Sequence, residues 1–289
     1  MNLNLFEKFD KYLGYYELCE EGRAALREAA EKICGDEKLS AEALELKSRI
    51  ADSEDKFSAN DVFKEKSVQF GAFVYTLAIE DMEKWYEEKK LPQDIFKATT
   101  GDLGVWINRH YDWTGEWGFS QYGWLINHLR GGIFKLGRLQ FEPSNIRETP
   151  PEEFGLPLQK GDPFLSVHIP RGGRMDEEAC LDSFEQAKEF FPKYLNYNFK
   201  AFGCYTWLFD PNFKNLLPAD SNILKFQQLF KIVHYSDEDY GGLEYIFVNI
   251  KKENILNNEA PTDTSFRKAI VGHILAGGIM QSGSGYRLI

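Results

Sequence analysis

His168 is the side chain whose type and placement in this sequence best suit proton transfer. It lies in FLSVHIP and alternates away from Val167 and Ile169, so it leaves the apolar face on which they stand. An imidazole there can act as a base near neutral pH, or it can be a strand histidine hydrogen-bonded to a neighbour. Arg171-Gly172-Gly173-Arg174 follows at once. The two glycines let backbone approach a neighbour or a ligand closely. The helix expected after them would offer free N–H groups to an anion. The same segment also reads as an ordinary strand-to-helix connection. Cys204, in FGCYTWLF, becomes a nucleophile if His168 lies beside it, which would make a Cys–His hydrolase. Away from a base it is a buried, inert thiol. Cys19, Cys34, Cys180 and Cys204 show no CxxC, and His110, His128, His234 and His273 show no ligand spacing, so no metal site is expected.

The elements that must position these residues are a strand, a turn and a helix. Leu165, Val167 and Ile169 alternate with Ser166 and His168, and Pro170 should stop the strand because it cannot donate to a ladder. Asp176 suits a helix N-cap, and Leu181, Phe184, Ala187 and Phe191 recur at helical spacing. Upstream, residues to about 130 read as helix. Glu20–Cys34 and Ser40–Ile50 are rich in Ala, Leu, Glu, Lys and Arg. Lys66–Lys89 is apolar first and charged later, as in a helix that emerges into solvent. Pro92 suits the start of the next helix. Trp113–Phe119 reads as a glycine-broken aromatic loop, and Ser120–Arg130 as a last short helix.

The texture changes at Gly131-Gly132. Strands are expected at Ile133–Pro143, Phe164–Pro170, Phe199–Phe209, Ile223–Tyr235 and Leu243–Ile250, with a Pro-rich loop at 143–163. A short helix should follow Asp210-Pro211, a helix should span Thr264–Ala276, and the tail should end in a strand. The fold class is thus α+β: an all-helical N-terminal domain over 1–130 and a mixed α/β domain over 131–289.

Composition narrows the function. Aromatic residues make up 15% of the 289 positions, which excludes a disordered chain. A net charge of −11 disfavours a nucleic-acid partner. There is no apolar run of about 18 residues to span a membrane. The first residues lack a secretion pattern and the cysteines are scattered, so a reducing cytoplasm is expected.

QYGWLINHLRG (Gln121–Gly131), FKLGRLQFEP (Phe134–Pro143), VHIPRGG (Val167–Gly173), CYTWLFDP (Cys204–Pro211), LLPADSNILKFQ (Leu216–Gln227) and AGG (Ala276–Gly278) together span about half the chain. With the order of elements over 133–250, they make the chain similar to bacterial two-part acyltransferase-like proteins. In these a helical N-terminal region precedes a domain resembling the GNAT superfamily of N-acetyltransferases. The resemblance implies acyl transfer from a thioester donor, acyl-CoA or acetyl-CoA, to a small amine or hydroxyl acceptor. An acyl carrier protein is an alternative carrier of the donor, and a non-catalytic binding module is an alternative role.

In that fold the fourth strand splays from the fifth and the pantetheine arm lies in the gap. Mapped here, these strands are Leu165–Pro170 and Phe199–Trp207. Val167, Ile169, Arg171, Gly172, Gly173 and Arg174 would then contact the donor. His168 would be the base, Tyr205 the acid, and Cys204 the nucleophile of a ping-pong alternative. Glu142, Trp124 and Asn222 are acceptor-side candidates. Against these stand an ion pair between Glu142 and Arg138, packing of Trp106, Trp113, Trp117 and Trp124, and an ordinary turn at Asp220–Asn222. The turn departs from the usual superfamily form, with Arg174 and Asp176 at its small-residue positions. Asp176, Glu177 and Glu178 crowd the helix start, and a carboxylate near 4 Å from a diphosphate costs roughly 4 kcal/mol at an effective dielectric near 20.

Overall fold

The computed structural model describes residues 2–289, in two compact units. The first comprises the chain up to Leu136 together with Pro170–Gly172, and the second comprises Gly137–Ile169 with Gly173–Ile289. The first unit is helical: α1 (Leu3–Leu13), α2 (Glu20–Gly35), α3 (Glu37–Ala51), α4 (Ala59–Phe63), α5 (Val68–Lys89), α6 (Gln93–Thr114) and α7 (Tyr122–Leu129).

Helix α5 is the axis of this unit and packs against α1, α2, α3, α6 and α7. Its first half is apolar all round, and residues Phe70 to Ile79 are buried without a break. Close approach is bought by small residues: a Cβ on Gly71 would fall 2.5 Å from the Tyr122 hydroxyl oxygen. The second half carries charge. Glu80 binds Lys8 and Lys47, each at 2.7 Å, and Glu83 accepts from both Lys11 and the Tyr12 hydroxyl at 2.7 Å. These cations hold the Glu80 carboxyl at about 2, against the pull of its own burial. Helix α6 runs past Trp113 and ends where Gly115 turns left-handed at φ 75°, so Trp113 belongs to the helix and not to the aromatic loop.

Strands β1 (Phe134–Leu136), β2 (Leu139–Asn145), β3 (Pro163–His168), β4 (Ala201–Thr206), β5 (Lys231–Tyr235) and β6 (Gly283–Leu288) form one sheet, ordered β1-β2-β3-β4-β6-β5. Pairing is antiparallel except between β3 and β4, which run parallel. The remaining helices are α8 (Glu177–Leu195), α9 (Phe213–Leu216), α10 (Asn222–Gln228), α11 (Leu243–Ile246), α12 (Lys252–Leu256) and α13 (Ser265–Leu275). Helix α8 covers one sheet face, where Phe184 meets Phe202 at 4.6 Å and Phe141 at 6.1 Å between ring centroids. On the other face Ile146 and Leu158 pack over Ala201, with Phe164 and Tyr286 at the margin.

Three strand expectations are corrected. Ile133–Pro143 is a hairpin, not one strand, because Gly137 turns at φ 62° between β1 and β2. Ile223–Tyr235 is helix α10 followed by β5. Ser221 caps the helix by accepting from the Ile223 N–H, and no glycine or proline marks the junction. Leu243–Ile250 contains helix α11 and no strand: its buried residues Leu243, Ile246 and Phe247 fall at helical, not alternating, spacing. β5 and β6 are therefore a hairpin whose connection, Ser236 to Ser282, carries α11, α12 and α13.

Candidate active site

The parallel ladder between β3 and β4 stops early. Phe164 pairs with Ala201, Leu165 with Phe202 and Ser166 with Gly203, and no pairing follows. Yet β3 continues to His168 and β4 to Thr206. Each is held by its other neighbour. Val167 and His168 stay in register with Phe141 and Gln140 of β2, while Cys204, Tyr205 and Thr206 stay in register with Gly285, Ser284 and Gly283 of β6. Beyond the Ser166–Gly203 pair the two strands are thus held each by its outer neighbour and not by each other.

Registered residues share a face, and faces alternate along each strand. His168 and Tyr205 therefore stand on one side of the sheet, and Val167 and Cys204 on the other, under α8. His168 Nε2 lies 3.0 Å from Glu142 Oε2, with side chains 27% and 37% exposed. Glu142 sits diagonally across the β2–β3 pair and is the partner that fixes the imidazole. With the carboxylate accepting at Nε2, the imidazole lone pair lies on Nδ1. Tyr205 is 62% exposed and donates its hydroxyl to Asp239 Oδ2 at 3.2 Å. Partial burial and the Asp239 charge raise its pKa.

Cys204 does not join this group. It is 4% exposed and on the opposite face from His168, and burial pushes its thiol well above the ordinary range. The Cys–His hydrolase and the ping-pong route both need the two side chains together, so the register removes both.

The turn after β3 is exposed, with Gly172 and Gly173 at φ 88° and 69°. Arg171 is ion-paired with Asp112 at 2.9 Å. The Arg174 side chain is 81% exposed and lies 3.4 Å from Asp176. Asp176 begins α8 without a side-chain cap, because its carboxylate also accepts from Asn222 Nδ2 at 3.1 Å. Asn222 therefore ties α10 to the start of α8 instead of standing beside His168. Arg138 Nε donates to the Arg174 carbonyl at 3.0 Å, and a Cβ on Gly173 would lie 3.7 Å from that nitrogen. The turn thus gathers a third arginine that sequence spacing assigned to the acceptor side. The signal was its place beside Gly137, which no periodicity reveals.

Trp124 lies on α7 in the helical unit, edge-on to His128 at 5.4 Å. Trp106 and Trp113 flank Arg109, while Trp117 stacks on Tyr111 at 3.8 Å. Val167 is buried under α8, and Ile169 follows the end of β3. Among the described residues no group of His, Cys, Asp and Glu could hold a metal ion, and no helix is long and apolar enough to cross a membrane.

Comparison with known proteins agrees with this architecture. The profile of the GNAT-like C-terminal domain matches residues 133–287, and that of the N-acyltransferase N-terminal domain matches residues 7–131. No curated protein matches the chain. Among solved structures, an acyltransferase in complex with decanoyl-CoA aligns at 24% identity and a TM-score of 0.63, over 76% of this chain and 66% of the other. That alignment spans less than two thirds of the solved protein. An acyltransferase in complex with decanoyl-CoA and teicoplanin aligns at 20% identity and a TM-score of 0.73, over 99% of this chain and 87% of the other. An acyltransferase in complex with CoA and 10C-teicoplanin aligns at 20% identity and a TM-score of 0.70, over 94% and 89% of the two chains. At these identities the likeness is one of fold.

Proposed function

Because the chain belongs to the family defined by a GNAT-like C-terminal domain, joined to an N-acyltransferase N-terminal domain, we propose that it transfers an acyl group from acyl-CoA to a small-molecule acceptor. The observation that carries the reading is the early end of the β3–β4 ladder, with the His168–Glu142 pair beside it. A pantetheine arm is an extended chain with amide groups, and it would complete the ladder that the two strands leave open. The diphosphate would then reach Gly172, Gly173 and Arg174. Arg138 beneath that turn, and the contacts that Asp176 makes with Arg174 and Asn222, offset the acidic start of α8.

In the reaction the acceptor nitrogen or oxygen attacks the thioester carbon, and His168 Nδ1 takes its proton. Glu142 stabilises the imidazolium that results. Backbone N–H near Ile169 holds the developing oxyanion. The C–S bond breaks as the new acyl bond forms, and Tyr205, on the opposite lip and the same face, protonates the leaving thiolate. Val167 and Ile169 act through backbone, and Asn222 acts on the turn through Asp176. The decanoyl-CoA and octanoyl-CoA in solved neighbours favour a medium-chain donor over acetyl-CoA or a carrier-borne one, and their teicoplanin ligands favour a small-molecule acceptor.

Calorimetric titration with octanoyl-CoA, followed by thiol release from it in the presence of a panel of primary amines, tests the proposal. Micromolar binding and amine-dependent thiol release are expected. Absence of both would overturn it.

A further inference from the structure

Gln140 is 1% exposed, and its side-chain Nε2 has no hydrogen-bonding partner. A buried amide donor left without an acceptor destabilises a protein, so such atoms are rare and call for a reason. Two other buried atoms of the same unit, Tyr240 OH and Arg287 Nε, are also without a hydrogen-bond partner, but the buried polar groups nearest in kind are satisfied. The Ser183 hydroxyl, 0% exposed, accepts from the Arg138 and Leu139 N–H groups and donates to the Ala179 carbonyl. Asp210, 0% exposed, accepts from the N–H groups of Asn212 and Gln281.

The place of Gln140 supplies the reason. It is registered directly opposite His168 in the β2–β3 pair, so the two share a sheet face. Glu142, which holds His168, is two residues further along the same strand and on the same face. The order across the sheet is then Gln140, His168, gap. Adjacent strands lie about 4.8 Å apart, so Gln140 is a full strand removed from the gap, on the far side of the base. The acceptor must come to His168 from outside the gap that the donor fills.

We infer that Gln140 contacts the acceptor: its side-chain N–H donates to an oxygen, a hydroxyl or carbonyl, borne near the attacking atom. The inference rests on the acyl-transfer reading above. It makes the acceptor an oxygen-bearing molecule instead of a plain alkylamine, and it gives the buried amide its missing partner only when substrate is bound. In the free protein the orphaned donor is a small standing cost.

Gln140→Met keeps the length of the side chain and removes the donor. Melting temperature without ligand, the octanoyl-CoA dissociation constant, and thiol release with the hydroxyl- or carbonyl-bearing amine that the wild type turns over fastest are measured on both proteins. The expected variant melts at or above the wild-type temperature and binds octanoyl-CoA within about 2-fold of it. Its kcat/KM for the amine is about 10- to 100-fold lower, the loss associated with a buried donor taken from a substrate oxygen. A lower melting temperature with unchanged kcat/KM would return Gln140 to a structural role and overturn the inference. So would a loss of octanoyl-CoA affinity equal to the loss of rate, which would put the amide on the donor side. A wild type that neither binds octanoyl-CoA nor releases thiol would overturn acyl transfer itself, and this assignment with it; that result is distinct because it appears before any variant is made.

Discussion

Asp102 with His128 in the helical unit and Glu142 with His168 in the α/β unit are both carboxylate–imidazole pairs, 3.2 and 3.0 Å apart. Their surroundings differ in every other respect. Asp102 and His128 have side chains 2% and 0% exposed, on α6 and α7. Asp102 Oδ2 accepts from Trp106 Nε1 at 3.1 Å, while Asp102 Oδ1 and both ring nitrogens of His128 make no hydrogen bond, so this pair is one of proximity alone. Glu142 and His168 are about one-third exposed and stand beside the end of the β3–β4 ladder. The first pair lies between two helices, and the second lies beside the end of the β3–β4 ladder and carries the proton transfer proposed above. Access, and not the pairing itself, separates the two.

The largest effect expected from breaking this contrast is at His168. The substitution His168→Ala should lower kcat/KM for acyl transfer by about 10²- to 10⁴-fold, the range of a positioned base, and move the melting temperature by no more than about 2 °C. Steady-state kinetics beside differential scanning fluorimetry checks both. Comparable losses of stability and rate would make His168 structural. At the buried pair the pattern reverses. His128→Ala leaves Asp102 without its imidazole and should cost about 3–5 kcal/mol of stability, read by urea unfolding, with kcat of the folded fraction preserved. A reduced kcat at full folding would mean that the helical pair also takes part in catalysis.

Glu142→Gln sharpens the comparison, since it removes the charge and keeps the shape. A loss of about 10- to 100-fold in kcat is expected, with little change in octanoyl-CoA affinity, because one charge-assisted hydrogen bond to the imidazole is lost. An unchanged kcat would show that His168 needs no carboxylate. The smallest effect concerns Glu80, whose charge is met by Lys8, Lys47 and Lys84. Its folded pKa, about 2, lies below its ordinary 4.5, so its contribution to stability is full above about pH 4.5 and is lost as pH falls towards 2. Glu80→Gln should cost about 1 kcal/mol at pH 7 and flatten the acid limb of the stability curve, measured by urea unfolding from pH 7 to pH 3. An unaltered acid limb would place that pH dependence in other carboxylates.

Much of this arrangement was legible in the sequence, where a local period carried it. Alternation in LSVHI set β3 and put His168 opposite Val167. The apolar-then-charged order of Lys66–Lys89 gave α5 its buried and exposed halves. The GNAT-like resemblance is the family that the comparisons show. What the sequence hid depends on register between segments far apart. Glu142 meets His168 across 26 residues, and only the pairing of Gln140 with His168 brings them to one face. The same register placed Cys204 on the opposite face from His168. Leu243–Ile250 misled because its aromatic and branched residues favour strands one by one, whereas packing against Phe213, Ile270 and Ile274 favours a short helix.

The central claim, that acyl-CoA lies between β3 and β4, is tested most directly by amide chemical shifts during titration with octanoyl-CoA. The account predicts the largest shifts at Val167–Arg174, with Pro170 silent, and at Cys204–Thr206, with the amides of α1 to α4 unmoved. Shifts confined to the helical unit, or none at saturating ligand, would contradict it.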